Sequence, residues 1–271
     1  MPLTVATWNI NSVRLRLPLV QQFLARGVPD VLCLQETKCR DAEFPFSALR
    51  EMGYDHIEIF GQKGYHGVAI LSRFPFAAVD RTPFCRHGHA RHLAVTLGAA
   101  AGAAAGVIIH NFYVPAGGDE PDPDTNPKFA HKLDFIDRMA RGPSEFGLKP
   151  ERAIIVGDLN IAPLESDVWS HKALLKVVSH TPVEVEGLGR VQAAGGWVDA
   201  MREHVPPAEK LYTWWSYRSP DWAAADKGRR LDHIWLSPDL AGTLGEVAVL
   251  KEARGWDRPS DHVPATVELM V

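Results

Sequence analysis

The chain has 271 residues, 46% hydrophobic and 23% charged. That is ordinary globular composition, and it excludes a disordered chain, a collagen-like chain and a small disulfide scaffold. Lys and Arg number 29 against 33 Asp and Glu, a formal net charge of −4, so no bulk basic charge announces nucleic acid, although a local basic cleft remains open.

The three cysteines, Cys33, Cys39 and Cys85, include no CxxC pair and read as reduced thiols of a cytoplasmic protein. Cys33 lies in an apolar run and reads as a small core residue. No leader pattern is visible, and no apolar run approaches the ~18 residues of a membrane span. No linker or repeat divides the chain, so 1–271 is expected to be one domain.

The first predicted strand, 3–8, ends in Asn9-Ile10-Asn11. A helix follows over 16–26, with Leu17, Val20, Phe23 and Leu24 on one face. The second strand, 31–34, ends in Gln35-Glu36-Thr37-Lys38. Strands are predicted at 68–71, 93–97 and 107–111, with the Ala/Gly segment 98–106 as a hairpin connection. Phe112-Tyr113-Val114-Pro115 follows, and 117–127 is too rich in Pro and Gly for regular structure. A helix over 127–139 aligns Phe129, Leu133, Ile136 and Met139. The strand 153–156 ends in Gly157-Asp158-Leu159-Asn160, and a weaker helical pattern covers 165–177. Strands at 231–236, 247–250 and 264–271 complete the chain, with Leu231-Asp232-His233 opening the first and Ser260-Asp261-His262 preceding the last. Many runs are rich in Val, Ile and Leu without alternation, as in strands covered on both faces. Many strands with few helices predict two packed sheets with helices outside.

Each polar strand end alone has a bland reading, since Asp and Asn after a strand commonly make turns. Together they supply phosphodiester hydrolysis, which needs phosphate charge neutralised, a water deprotonated and the leaving oxygen stabilised. Glu36, Asp261 and the Asn9 amide are hard oxygen ligands that suit Mg²⁺, with Mn²⁺ a substitute. Asp158 is placed to orient or deprotonate the water, and Asn160 to donate to a phosphate oxygen. His262, held by Asp232, would be an imidazolium facing developing negative charge. Tyr113 offers a phenol or phenolate near the leaving group.

The blocks Trp8-Asn9-Ile10-Asn11-Ser12-Val13-Arg14, Leu34-Gln35-Glu36-Thr37-Lys38, 64–72, 111–115, 157–160, 212–218, 230–233 and 260–264 occur in one order along the chain. As a set they resemble the exonuclease III family of apurinic/apyrimidinic (AP) endonucleases, within the endonuclease/exonuclease/phosphatase superfamily. The resemblance spans nearly the whole chain. It implies a DNase I-like four-layer α/β-sandwich, two mixed β-sheets packed face to face and flanked by helices, with 1–271 as a single catalytic domain. It implies a metal-dependent DNA phosphodiester hydrolase of base excision repair, cutting 5′ to abasic sites and removing 3′ blocking groups or nucleotides from duplex DNA. The expected setting is cytoplasmic, at the nucleoid, as a monomer with no membrane partner.

By position, Glu36 matches the main metal ligand, and Asn9 and Asp261 border the metal. Asp158 matches the residue that activates water, Asn160 and His262 match phosphate contacts, Asp232 the histidine's partner and Tyr113 the active-site tyrosine. Arg14, Lys38, Gly64 and Tyr65 match contacts to the DNA backbone. Trp214 and Leu231 match the apolar pocket for a flipped abasic sugar, which a full nucleotide enters only at the cost of unstacking; of neighbours Trp214 and Trp215, one is expected to face away. Arg229 stands where some relatives place Trp, and with Arg14, Lys38, Arg40, Lys63 and Arg230 is expected to form a basic face around the cleft. Ala116 stands where the family often carries Gln or Asn. Gly117 and Gly118 are expected to supply backbone donors instead, with the acidic run from Asp119 to Asp124 bent away from DNA. A phosphatase of small or lipid phosphoesters shares the same core residues, and a non-enzymatic DNA-binding module is the alternative from another class.

Overall fold

The computed structural model describes residues 2–271. Its strands are β1 (Leu3–Asn9), β2 (Val31–Gln35), β3 (His56–Phe60), β4 (Val68–Ser72), β5 (Phe76–Asp80), β6 (His92–Leu97), β7 (Ile108–Tyr113), β8 (Ala153–Asp158), β9 (Val198–Asp199), β10 (Trp214–Trp215), β11 (Gly228–Arg229), β12 (Asp232–Leu236), β13 (Leu244–Val249) and β14 (Ala265–Leu269). Its α-helices are α1 (Val13–Leu24), α2 (Phe46–Glu51), α3 (Pro127–Ala140), α4 (His171–Leu174), α5 (Pro182–Gly195), α6 (Ala200–His204), α7 (Trp222–Ala225) and α8 (Pro238–Ala241).

Two six-stranded sheets form, in the orders β13-β14-β1-β2-β4-β3 and β5-β6-β7-β8-β12-β9, and β10 and β11 make a separate ribbon. Each sheet is mixed. β1 and β2 are parallel within one, β7 and β8 within the other, and the remaining neighbours are antiparallel.

The unalternating apolar runs have a simple cause: both faces of each central strand are covered. Leu3 and Val5 of β1 turn into the core between the sheets with Cys33, Ile70, Ile109, Ile154 and Val267. Ala6 and Trp8 turn outward, onto Val20, Phe23 and Leu24 of α1. On the opposite side Phe112, Ile155 and Trp235 meet Phe135, Ile136 and Met139 of α3 and Leu188 and Val191 of α5. The result is helix, sheet, sheet, helix, the four layers expected.

Elements differ from expectation in several places; β3, β5, α2 and α6 were not among the predicted elements. The pattern over 165–177 is not one helix: it breaks into a 3₁₀ turn, Glu165–Asp167, and the four-residue α4, because Val168 between them is drawn into a β-bridge with Arg229. The helix α5 gives little sequence signal, since Gly187 and Gly189 lower its propensity. A Cβ on Gly187 would lie 3.0 Å from Ile136 Cγ2, so the glycine lets α5 approach α3 closely. The segment 98–106 does connect adjacent antiparallel strands, β6 and β7, through a 3₁₀ turn at Ala99–Ala104.

Candidate active site

The site is where the inward-facing rows of the two sheets change from apolar to polar. With side chains alternating along a strand, the row Leu3, Val5 of β1 continues to Thr7 and Asn9, and Val31, Cys33 of β2 continues to Gln35. Ile109 of β7 is followed by Asn111 and Tyr113, and Ile154 and Val156 of β8 by Asp158. On antiparallel β12 the row Leu236, Ile234 ends at Asp232. Register puts these ends together: Asn9 is opposite Gln35, Tyr113 opposite Asp158 and Asp232 opposite Asp158. Below them Gln35 Nε2 donates to Thr7 Oγ1 at 2.9 Å and across the sheets to Asn111 Oδ1 at 2.7 Å. Asn111 Nδ2 donates to the Leu34 and Ala69 carbonyls at 3.0 and 2.9 Å. This buried polar floor fixes the two sheets in register, and the sequence reading assigned it no role.

Asn9 bridges two carboxylates, its Nδ2 donating to Glu36 Oε1 and to Asp158 Oδ2, both at 2.9 Å. Its Oδ1 accepts the Asn11 N–H at 3.1 Å. Lys38 Nζ lies 2.7 Å from Glu36 Oε2 and also reaches Asn11 Oδ1 at 2.5 Å. Asp261 accepts from Asn11 Nδ2 at 3.1 Å and from Trp214 Nε1 at 2.9 Å. His262 Nδ1 lies 2.8 Å from Asp232 Oδ2, and its Nε2 3.7 Å from Asp158 Oδ2. Asn160 donates its backbone N–H to Asp158 Oδ1 at 3.0 Å. Its side-chain Nδ2 donates to Asp158 Oδ2 and to the Val114 carbonyl, each at 3.0 Å. Both amide hydrogens are therefore engaged inside the protein, and Asn160 holds Asp158 in place rather than standing free for phosphate.

The backbone is left-handed where several of these groups leave their strands: Asn11 (φ 47°), Glu36 (51°), Lys38 (52°) and Asn160 (55°). Such conformations are uncommon for non-glycine residues and cluster where surrounding structure holds a functional geometry. Close approach explains two glycines nearby. A Cβ on Gly67 would lie 2.2 Å from Thr37 Oγ1, and one on Gly157 2.0 Å from the Phe112 carbonyl.

Burial pushes the Asp158 carboxyl up to about 7, with nearby Asp232 and Glu36 adding to the rise and His262 opposing it. Burial alone would lower His262, but Asp232 and Asp158 outweigh it and raise the imidazole to about 10. Burial opposes ionisation of Glu36, yet Lys38 and Asn9 hold it below the usual carboxylate range. Burial beside Glu36 drives Tyr113 well above the ordinary phenol value, so of the two expected forms the structure supports the phenol.

These charges bear on the metal. Glu36, Asp158 and Asp232 stand close around His262, and Asp232 Oδ1 is buried with no hydrogen-bond partner. Lys38 already places one cation against Glu36. An acidic oxygen-donor pocket of this kind fits a hard divalent cation, with Glu36 and Asp261 carboxylates that border the cleft. Asn9, expected as a ligand, acts here as the bridge between Glu36 and Asp158.

A cleft of about 750 Å³ exposes Glu36, Tyr113, Asp158, Asn160, Asp261 and His262 on its floor and Trp214, Arg229 and Leu231 on its wall. Trp215 also borders the cleft but is 1% exposed and packs against Tyr212 and Val263, while Trp214 is only partly buried. The sequence reading missed Trp169, which lines the same wall with Lys227 4.8 Å over its ring. Trp222 stands at the rim, edge-on to Trp215. Arg229 lies over Trp214 at 5.2 Å and donates to the Val178 carbonyl and Ser179 Oγ, so it builds the wall. Arg14, Gly64 and Tyr65 lie outside the cleft: Arg14 pairs loosely with Glu43 at 3.8 Å, and Tyr65 is 70% exposed. The 61–67 loop abuts Lys38 through the Lys38 N–H to His66 carbonyl bond.

Two expectations are corrected. Arg230 does not join a basic face: it is fully buried, clamped by Asp167 at 2.7 Å and Asp199 at 2.7 Å, because a buried guanidinium requires carboxylate partners. The acidic run does not turn wholly away, since Asp119 lines the cleft. A Cβ on Gly117 would run into Lys132 and Val178 and its carbonyl accepts from Asn126, while Gly118 lines the cleft. Also unforeseen was the clamp made by Arg16, which donates to the Asn11 carbonyl, the Arg258 carbonyl and Tyr217 Oη.

A model of the endonuclease/exonuclease/phosphatase family matches residues 6–262. Exodeoxyribonuclease III of Haemophilus influenzae is 28% identical over 268 residues, 97% of this chain and 98% of that protein. The DNA repair nuclease APEX1 of Danio rerio is 27% identical over 98% of this chain and 82% of its own length. Among solved structures, an AP endonuclease from Archaeoglobus fulgidus superposes with a TM-score of 0.89 at 30% identity, covering 99% of this chain and 100% of that one. The 3′ phosphatase NExo from Neisseria, bound to a product DNA hairpin, gives 0.87 at 33% identity, covering 98% and 99%.

Proposed function

The chain belongs to the endonuclease/exonuclease/phosphatase family, and from that premise we propose that it is a DNA repair nuclease: a metal-dependent phosphodiester hydrolase that incises duplex DNA 5′ to abasic sites and trims 3′ ends. The observation that carries this reading is the meeting of Asp158 with both Glu36, through Asn9, and His262, across two sheets on the floor of an aromatic cleft.

Glu36 and Asp261 would hold Mg²⁺, or Mn²⁺ in its place, and the ion supplies charge neutralisation at the phosphate. Asp158, fixed on three sides by Asn9 and Asn160, takes the proton of the attacking water, and a carboxyl near 7 is matched to that task at neutral pH. His262 remains an imidazolium through Asp232 and donates from Nε2 as negative charge grows on the phosphoryl oxygens. The Tyr113 phenol, capped by Arg91 4.7 Å over its ring, stands beside the leaving oxygen. Trp214 and Leu231 receive the baseless sugar, and Arg14, Lys38, Gly64 and Tyr65 follow the backbone. Every one of these groups comes from one chain, which is read as acting as a monomer, in the cytoplasm on chromosomal DNA.

A duplex with a single abasic analogue tests the reading. Incision on its 5′ side in Mg²⁺, abolished by EDTA and restored by added metal, is the expected result. Release of phosphate from inositol or lipid phosphoesters without duplex incision would replace it with the phosphatase.

A further inference from the structure

On the far side of Arg91 from the cleft, four ligand-bearing residues that the nuclease reading does not use come together. Cys85, His87 and His89 lie in the 81–91 segment between β5 and β6, and His131 projects from α3. Cys85 Sγ is 3.1 Å from His131 Nε2, and one donor atom each from Cys85, His89 and His131 falls within 4.8 Å of the others. The His87 ring lies 4.5 Å from the His131 ring. His89 Nδ1 is buried and takes no hydrogen bond, an orphaned polar atom beside an otherwise matched set of donors. We propose that Cys85, His89 and His131 form a Zn²⁺ site, with exposed His87 or a water as fourth ligand.

The geometry is close to what the ion needs. Zn–S of about 2.3 Å and Zn–N of about 2.0–2.1 Å, set tetrahedrally, separate sulfur from nitrogen by about 3.5 Å. One thiolate and two or three imidazoles select zinc over the hard Mg²⁺ of the catalytic floor. Arg91 is the unfavourable charge here, but it is engaged by the Tyr113 carbonyl and His66 Nδ1. Asp134 lies near His131 with the opposite sign. The donors are also held in place without metal. Arg86 pairs with Asp134 of α3, and Phe84 is buried against Phe112 and Phe146. Binding releases the Cys85 thiol proton to solvent as the sulfur–metal bond forms.

The site would adjoin the nuclease centre. His66 stacks on His89 at 4.6 Å and accepts from Arg91, which caps Tyr113. Zinc would thus staple the β5–β6 segment to α3 one ring behind the tyrosine.

Titration of the metal-free full-length protein with Co²⁺, followed in the near ultraviolet, tests this. A thiolate-to-cobalt charge-transfer band saturating at one equivalent and bleached by Zn²⁺ is expected. It should persist in Glu36→Gln and Cys39→Ser, disappear in Cys85→Ser and need at least tenfold more Co²⁺ in His131→Gln. No band in the unsubstituted protein overturns the proposal, as does a band that survives in Cys85→Ser or is lost in Glu36→Gln.

Discussion

Around His262 a single proton decides the chemistry. Asp232 at 2.8 Å supports the charged ring, and burial makes that support strong. His262 is raised, so the imidazolium is active below its folded pKa and activity is lost as pH rises through it. Asp232→Asn removes the charge that raises it, and the alkaline limb of the kcat/KM profile should move to lower pH; an unmoved limb would leave Asp232 a structural residue. The same sign governs stability, which this pair contributes below the unfolded histidine pKa and loses as pH climbs through the folded one. Glu36→Gln keeps shape but removes charge from the metal pocket, so activity should fall by orders of magnitude in ordinary Mg²⁺ while the melting temperature changes little. The identities of these residues were legible because they sit in dense polar blocks at strand ends. Their couplings were not. Nothing local tells that Asn160 uses both amide hydrogens on Asp158 and Val114, or that Lys38 sits on Glu36 two residues away through a left-handed turn.

Helix α3 shows how an element serves the site from outside it. Lys132, on its inner face, is fully buried against Glu184 of α5 at 2.5 Å. Its ammonium also donates to the Asn160 carbonyl at 2.8 Å, so it ties both outer helices to the loop that carries Asp158's partner. Removing one member of a buried pair strands the other. Lys132→Met should cost about 3–5 kcal/mol, a drop of roughly 10 °C in Tm for a chain of this size, and should lower kcat as Asn160 loosens. Loss of less than 1 kcal/mol in denaturant melts would contradict that account. The helical period of α3 was readable from Phe129, Leu133, Ile136 and Met139, but nothing in that period marks Lys132 as buried. The same blindness hid Arg230, whose carboxylates Asp167 and Asp199 come from distant segments. Strand β5, whose apolar run Phe76-Ala77-Ala78-Val79 lies mostly exposed, was not among the predicted strands.

For the molecule as a whole, the net charge of −4 leaves DNA affinity to local positive groups. With Arg230 buried and Arg229 in the wall, Arg218 and Lys227 line the cleft, and of the expected basic face Arg14, Lys38, Arg40 and Lys63 lie outside it. Affinity for abasic duplex should fall linearly in log–log against salt, and Arg14→Ala should reduce the slope by about 0.9 if it neutralises one phosphate. An unchanged slope would move the DNA path elsewhere. The layered architecture was legible from apolar runs covered on both faces. The strand order was not, since one sheet joins both ends of the chain, β1 pairing with β14 with Leu3 opposite Leu269, and the other inserts β12 between β8 and β9. That closure has a consequence during synthesis. Trp8 Nε1 donates to the His262 carbonyl at 3.0 Å across 254 positions, and Ser260 Oγ to the Asn9 carbonyl at 2.6 Å. Asn9 leaves the ribosome 251 residues before Ser260, so the early half of the pocket waits long for the partners that complete it. Such long-range closure is slow to form, and a nascent chain halted before Ser260 carries no competent nuclease.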